Sequence, residues 1–485
     1  MIFLRSGGTG SGRTLHRDLG FWATAALSIG GMAPTLAMSV TGVQVVRLLG
    51  RAAPLAYLLA GGAMLLIGYG FVRLSAAFSH AGSVYAFVGK TLGPGAGFLA
   101  TWMLLGTYIV FPPVSVLGMA AFTQAFLRHT GIAASADWLP LALISWLLVW
   151  LLVARGIRLT ARSVIAVEAV SLLLITALIV VIYVRLGTGH PPGRQTLTAD
   201  VLRLPQGTGA ATVGLACTFG ILAFGGFESS ISAGEEARRP TQAIPRSVIA
   251  AVLFGAVFYA FCVSGQVLGF GTSHAGTAAF AHSTAPLGDL ALVYVGPAMA
   301  VLLDAAAVLS ALGAALVGVA VASRTLYALA RDRILWTSLA AVSPRTGTPG
   351  GAVAASMTLT LTLLLAFGLA GTAALDAFFY LATIGALCLL VVYVLVSVSA
   401  LRLLARDRRS LPGVTKSSVL KPSVILPVGG AVAALYVLYR NLIPAPAFPY
   451  DLFPYLVAGW LVLGLTVAAA VPQLRKRVSE GLALR

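Results

Sequence analysis

The 485-residue sequence predicts an all-α integral membrane protein with twelve transmembrane helices, and three observations carry that expectation. Hydrophobic residues make up 59% of the chain and charged residues only 9%, whereas soluble domains carry roughly 25% charged residues. The apolar residues fall into long segments, most of them near or above the ~20 residues that cross ~30 Å of hydrocarbon. Lysine and arginine concentrate in alternate connections between those segments, as topology signals do. No water-soluble core of this length hides so much apolar surface, so the bilayer is the expected solvent.

The elements follow in order. Residues 1–20 are a short, polar, basic tail without the apolar stretch and cleavage site of a signal peptide, and read as cytoplasmic. The first five spans are expected at 21–46, 53–78, 95–127, 138–154 and 162–185. The next five are expected at 212–234, 247–270, 292–323, 350–370 and 375–400. A basic cytoplasmic loop, 401–421, leads to the last two spans, 422–440 and 453–472, and a cytoplasmic tail, 473–485. The third and eighth spans are long enough to tilt or to project from the bilayer. With both tails inside, 25 of the 32 basic residues lie on the inner side and seven on the outer. That asymmetry fixes the orientation and explains most of the +18 net charge as topology and anionic-lipid contact, not nucleic-acid binding.

Two spans are interrupted. The first reads AALSIGGMAPTLAM, with Gly30-Gly31 and Pro34 near its middle, and the sixth reads FGILAFGGFESSIS, broken at Gly225-Gly226. Proline removes a backbone donor and clashes with the preceding turn, and freed backbone groups are expensive in hydrocarbon unless they line a cavity. Breaks five spans apart are what an inverted repeat gives, spans one to five (21–185) against six to ten (212–400), with a binding site between them. Half-helix N-termini offer N–H groups and a positive dipole end to a carboxylate. Free carbonyls at the opposite break can hold an ammonium or a small cation, and a zwitterionic amino acid fits both needs.

Several motifs resemble the amino acid–polyamine–organocation permeases. GFES followed by GEEARRPTQAIPRSV is similar to that family's sixth-span signature, and SRTLYALARDRIL to its eighth-span end. SPRTGTPGGAV resembles the entrance to span nine, and AGSVYAFVGKTLGPGAGFLATW the approach to span three. The match runs from about residue 18 to 400, while spans eleven and twelve match by hydropathy alone. The resemblance implies a leucine-transporter-type fold, with a 5+5 inverted repeat and discontinuous helices 1 and 6. It also implies secondary transport of amino acids or amines across the cytoplasmic membrane, by proton symport or exchange. Carried over by motif, a substrate carboxylate would meet the backbone of Ile29, Gly30, Gly31 and Met32. Its amino group would meet carbonyls near Ser28 and around Phe224, Gly225, Gly226 and Phe227, with Phe224 or Phe227 as a cover. The first break departs from the family's usual Gly-Ser/Thr-Gly-Ile, having Gly30-Gly31-Met32-Ala33-Pro34. Trp336 stands where the family commonly has proline.

Acids at membrane depth are rare and should not face lipid. Glu228, beside the sixth-span break, is a candidate proton carrier or amine ligand, or else a hydrogen-bonding partner for the broken backbone. Glu168 in span five and Asp304 in span eight are further coupling candidates, each with a structural alternative that the sequence favours. Some relatives couple protons through a span-five lysine; none of the four lysines here lies in that span, which raises the weight on Glu228 and Glu168. Ser310 reads as a packing residue, with cation binding the weaker option. Glu235, Glu236, Arg238, Arg239 and Arg324 are expected to form ion pairs that open and close the inner mouth. Tyr85, Trp102, Tyr108 and Tyr294 read as interface anchors first.

Other classes fit less well. Cys217, Cys262 and Cys388 lie inside apolar segments without metal spacing, the six histidines are scattered, and no cofactor or metal is expected. No nucleophile–base pair or phosphate loop points to an enzyme or to ATP-driven transport. A sugar or drug carrier built from two six-span halves would carry a basic motif after span two, which the SHAG stretch does not provide. Expected partners are a small-molecule substrate, an amino acid or amine, with a proton and the lipid bilayer; a transport-dead sensor is the remaining alternative.

Overall fold

A computed structural model describes residues 20–78, 84–133, 135–155, 161–233, 237–331, 334–343, 348–409 and 422–470. Every regular element among them is helical. The first repeat region contains α1 (Phe21–Gly31), α2 (Pro34–Leu49), α3 (Ala53–Ala77), α4 (Val84–Leu92), α5 (Pro94–Thr130), α6 (Trp138–Ala154) and α7 (Ala161–Gly187). Then come α8 (Ala210–Ala223), a 3-10 helix at Phe227–Ala233, α9 (Pro240–Phe270), α10 (His274–His282), α11 (Pro286–Tyr294) and α12 (Pro297–Arg331). The chain continues with α13 (Gly350–Leu369), α14 (Ala374–Arg409), α15 (Pro422–Arg440) and α16 (Phe453–Ala470). Nine helical stretches among the described residues are long and apolar enough to cross a membrane, the first being the 57-residue run Phe21–Ala77. Trp138–Ala154 and Val424–Arg440 are shorter apolar helices.

The helices follow the apolar segments of the sequence closely, and the differences have local causes. Span seven was expected from 247 but starts at Pro240, because proline at the first helical position has no amide to leave unsatisfied. Residues 292–294, expected in span eight, belong to α11; α12 begins only at Pro297, after Gly296 turns the chain at a φ of 137°. The short helices α4, α10 and α11 are too brief to show as apolar segments.

The centre of the bundle is built by α5 against α12 and α14, and by α3 against α9. Small residues set these distances: a Cβ on Gly318 would lie 3.3 Å from the Phe111 side chain, and one on Gly61 would press 2.6 Å from Ala256. Trp102 and Tyr294 are buried, not interface anchors. The Trp102 ring stacks on Trp460 of α16 with centroids 4.6 Å apart. Each indole N–H donates to the other residue's carbonyl, at 2.9 and 3.0 Å. Gly106 and Gly464 leave the room: a Cβ on Gly106 would come 2.7 Å from the Trp460 ring nitrogen. The Tyr294 hydroxyl donates to the Gly269 carbonyl at 3.1 Å.

Candidate functional site: two broken helices and their acids

The first break separates α1 from α2. Ala33 takes the left-handed conformation, φ 45° and ψ 58°, the one non-glycine residue with positive φ among the described residues. Pro34 then starts α2 without an amide hydrogen. The Met32 amide donates to the Ser28 and Ile29 carbonyls at 3.3 and 3.2 Å, and the Ala33 amide to Gly30 at 3.1 Å. The amides of Met32 and Ala33 are thus engaged with α1. The donor of α2 that turns elsewhere is Thr35: its N–H reaches Glu168 Oε2 at 3.4 Å and its hydroxyl donates to the same oxygen at 2.8 Å.

The second break follows α8. Phe224 still has right-handed geometry, Gly226 turns the chain at φ 99°, and the 3-10 helix starts at Phe227. The Gly225 and Phe227 amides donate to Leu222 and Phe224 at 3.0 and 3.1 Å. Ser229 closes the turn, its amide and hydroxyl reaching the Gly226 carbonyl at 2.9 and 2.6 Å.

The two breaks touch, backbone to backbone. A Cβ on Gly226 would overlap the Gly31 carbonyl, and one on Gly31 would overlap the Ser229 hydroxyl and lie 2.7 Å from the Gly226 oxygen. Both positions need glycine. Two hydroxyl pairs tie α1 to the Phe227–Ala233 helix and to α9. Ser28 donates to Ser230 Oγ at 2.7 Å, and Thr24 pairs with Ser247 of α9 at 2.6 Å.

The acids differ in how they are held. Glu168, on α7, is buried and bridges three helices: Thr35 of α2 holds one carboxylate oxygen and the Ser310 hydroxyl of α12 donates to the other. Ser310 is therefore a partner of an acid, not the packing residue its Ala-Leu-Ser-Ala-Leu setting suggests. Glu228 has a buried Oε2 without a hydrogen-bond partner among the described residues. It lies within electrostatic range of Tyr108 on α5 and Tyr393 on α14, and the Tyr393 hydroxyl is also buried without a partner. Asp304, on α12, stands apart from both breaks, 2.6 Å from His129 at the end of α5.

The aromatic candidates separate in the same way. Phe224 packs edge-on against Tyr259, centroids 5.1 Å apart, in a slot that Gly255 leaves open between α8 and α9. Phe227 faces Phe71 and Tyr393, at 5.2 and 5.9 Å, beside the Glu228 carboxylate's neighbours. Of the gating set, Arg238 and Arg239 are exposed just before α9, and Arg324 is half-buried near the end of α12. Glu235 and Glu236 lie outside the described residues.

The sequence reading missed the contacts at the other end of the bundle. Arg47, near the end of α2, pairs with Asp376 of α14 at 3.3 Å and donates through Nε to the Ala281 carbonyl at 2.9 Å. The partners are 329 and 234 residues apart in sequence, so no local spacing announces them.

Two membrane-crossing helices interrupted where they meet, with a buried carboxylate beside each break, define a membrane transporter and not an enzyme. The chain belongs to the amino acid permease family, whose model matches residues 19–463. It is 24% identical over 469 residues to the branched-chain amino acid permease BcaP of Lactococcus lactis, covering 93% of this chain and 94% of the relative. An uncharacterised transporter of Mycobacterium tuberculosis is 28% identical over 377 residues, 76% of each chain. The methylthioribose transporter of Bacillus subtilis is 25% identical over 447 residues, 88% of this chain and 89% of the relative.

Proposed function

We propose that the protein carries amino acids across the cell membrane by alternating access, driven by proton symport. The observation that carries this reading is the backbone contact of the two breaks beside a buried, unpartnered Glu228 carboxylate oxygen. Taking the 57-residue run as two crossings, and adding the two shorter apolar helices, yields the twelve-span arrangement. Regions 21–185 and 212–400 are then inverted repeats, with both tails cytoplasmic by the positive-inside pattern.

In this reading the substrate enters between the breaks when α1 and the Phe227–Ala233 helix part. Parting opens the α1–α2 junction from Ile29 to Met32 to a substrate carboxylate, which the Met32 and Ala33 amides reach by leaving the α1 carbonyls they now hold. The Gly31 and Gly226 carbonyls, released from their mutual contact, face the amino group. Phe227, not the tightly slotted Phe224, is the aromatic cover. Glu228 takes the coupled proton and Glu168, at the N-terminus of α2, senses whether that half-helix is occupied, with Asp304 the remaining proton candidate. Arg238, Arg239 and Arg324 serve the inner mouth, with Glu235 and Glu236 as their acidic counterparts. The Ser28–Ser230 hydrogen bond couples α1 to the Phe227–Ala233 helix, and Thr24–Ser247 ties α1 to α9.

The unpartnered Glu228 oxygen also favours a second reading, an amine carrier in which it binds an ammonium. Uptake into proteoliposomes separates the two. Gradient-dependent uptake of neutral amino acids supports the symporter; uptake of polyamines alone supports the amine carrier; silence in every pool from folded protein removes both.

A further inference from the structure

At the end of α5, away from both breaks, four charged side chains from three helices converge. His129 Nδ1 lies 2.6 Å from Asp304 Oδ2 of α12, and its Nε2 lies 3.2 Å from Asp289 Oδ1 of α11. Arg128 donates to Asp289 Oδ1 at 2.8 Å and to the Thr284 hydroxyl at 3.3 Å, and Ser283 donates to Asp289 Oδ2 at 2.6 Å. The His129 and Asp304 side chains are only 4% and 3% exposed, so water does not screen them. The backbone is shaped for the pair: a Cβ on Gly288 would lie 2.5 Å from Asp304 Oδ1 and 2.9 Å from the His129 ring.

We infer that His129, Asp304 and Asp289 form a proton-binding site that clasps the α10–α11 segment onto α5 and α12. Both ring nitrogens of His129 face carboxylate oxygens. A neutral imidazole has one N–H, so with both acids ionised the two contacts require the doubly protonated ring. Charge leads to the same count. Arg128 offsets one carboxylate, and the ring proton offsets the other. Losing the proton leaves one uncompensated negative charge in a buried setting and turns a ring lone pair towards a carboxylate, both costly. The contact that gives way is the longer one, to Asp289: this acid is 30% exposed and sits on a nine-residue helix, whereas Asp304 belongs to the 35-residue α12 packed along α5.

The other charged groups near α11 leave the count unchanged. Arg185 of α7 lies near Tyr294, and Arg47 of α2 is engaged with Asp376 and the Ala281 carbonyl. On α10, His274 is exposed, and His282 is exposed and bonded to the Ala278 carbonyl of its own helix. The clasp is separate from the substrate site, and its test needs no substrate.

Hydrogen exchange of the full chain in lipid nanodiscs, corrected for the chemical rate, reads the clasp directly. Protection of residues 274–294 is expected to fall about fivefold or more between about pH 6 and about pH 8.5, while residues 305–323 stay unchanged. His129→Asn, which keeps His274 and His282, should leave the segment weakly protected at both pH values. Asp289→Asn removes the need for the second ring proton and should give protection that is flat with pH. A parent without pH dependence, or either variant with the parent's slope, overturns the assignment. If His129→Asn does not fold, Asp289→Asn decides alone.

Discussion

The two breaks solve one problem in opposite ways. At the first, Ala33 and Pro34 interrupt the helix, the nearby amides fold back onto α1, and a distant acid, Glu168, is bound by Thr35 and Ser310. At the second, a glycine with φ of 99° makes the turn, and the adjacent acid, Glu228, keeps a buried oxygen with no partner among the described residues. An acid held by hydroxyls from two other helices contributes to holding the bundle together. A buried acid oxygen without a partner costs stability and calls for an explanation, which proton or ligand binding would supply. This contrast supports the proposed division, with Glu168 holding the bundle and sensing its state and Glu228 binding a ligand or proton.

Substitutions can break that contrast. The largest effect is expected at the shared contact: Gly226→Ala drives a Cβ into the Gly31 carbonyl and forces an L-residue to φ 99°. It should abolish transport and lower the thermal unfolding midpoint of the purified protein; wild-type uptake would remove the breaks from the mechanism. Glu168→Ala comes next. It strands two hydroxyls and an amide, a loss of about 1–3 kcal/mol for each buried group left unsatisfied, seen as a lower midpoint in detergent. Glu228→Gln should barely move the midpoint, yet abolish proton-driven uptake while sparing exchange. Unchanged pH dependence of uptake in that variant would take the proton away from Glu228. The smallest effect is expected from Arg47→Ala, because its pair with Asp376 is more than a third exposed on both sides, at 37% and 38%. Such pairs contribute about 0–1 kcal/mol, so the unfolding midpoint should hold to within measurement.

Much of this was legible in the sequence because apolar length and glycine or proline breaks are local signals. The helical segments, the break at Gly225-Gly226 and the membrane-depth acids could be picked out by reading along the chain; Gly30-Gly31, expected at the first break, stays in α1, and the interruption falls at Ala33, whose left-handed turn lets Pro34 start α2. What could not be read was partnership. That Glu168 would meet Thr35 and Ser310, 133 and 142 residues away, follows from packing of three helices and from no spacing in the chain. The same holds for His129, scattered by sequence and clasped in space. Trp102 misled because tryptophan near a span end favours the membrane surface, and only the glycine groove on α16 turns it inward.

That groove has a consequence for how the protein is made. Trp102 and Trp460 are 358 residues apart, so the third span waits, with its indole donor and the space beside Gly106 unfilled, until α16 has been synthesised. A chain ended before residue 453 would insert most of its helices and still lack the ring that closes α5. Docking of α16 thereby depends on a slot that α5 holds ready: until the Trp460 ring arrives, Trp102 has neither its stacking partner nor its carbonyl acceptor.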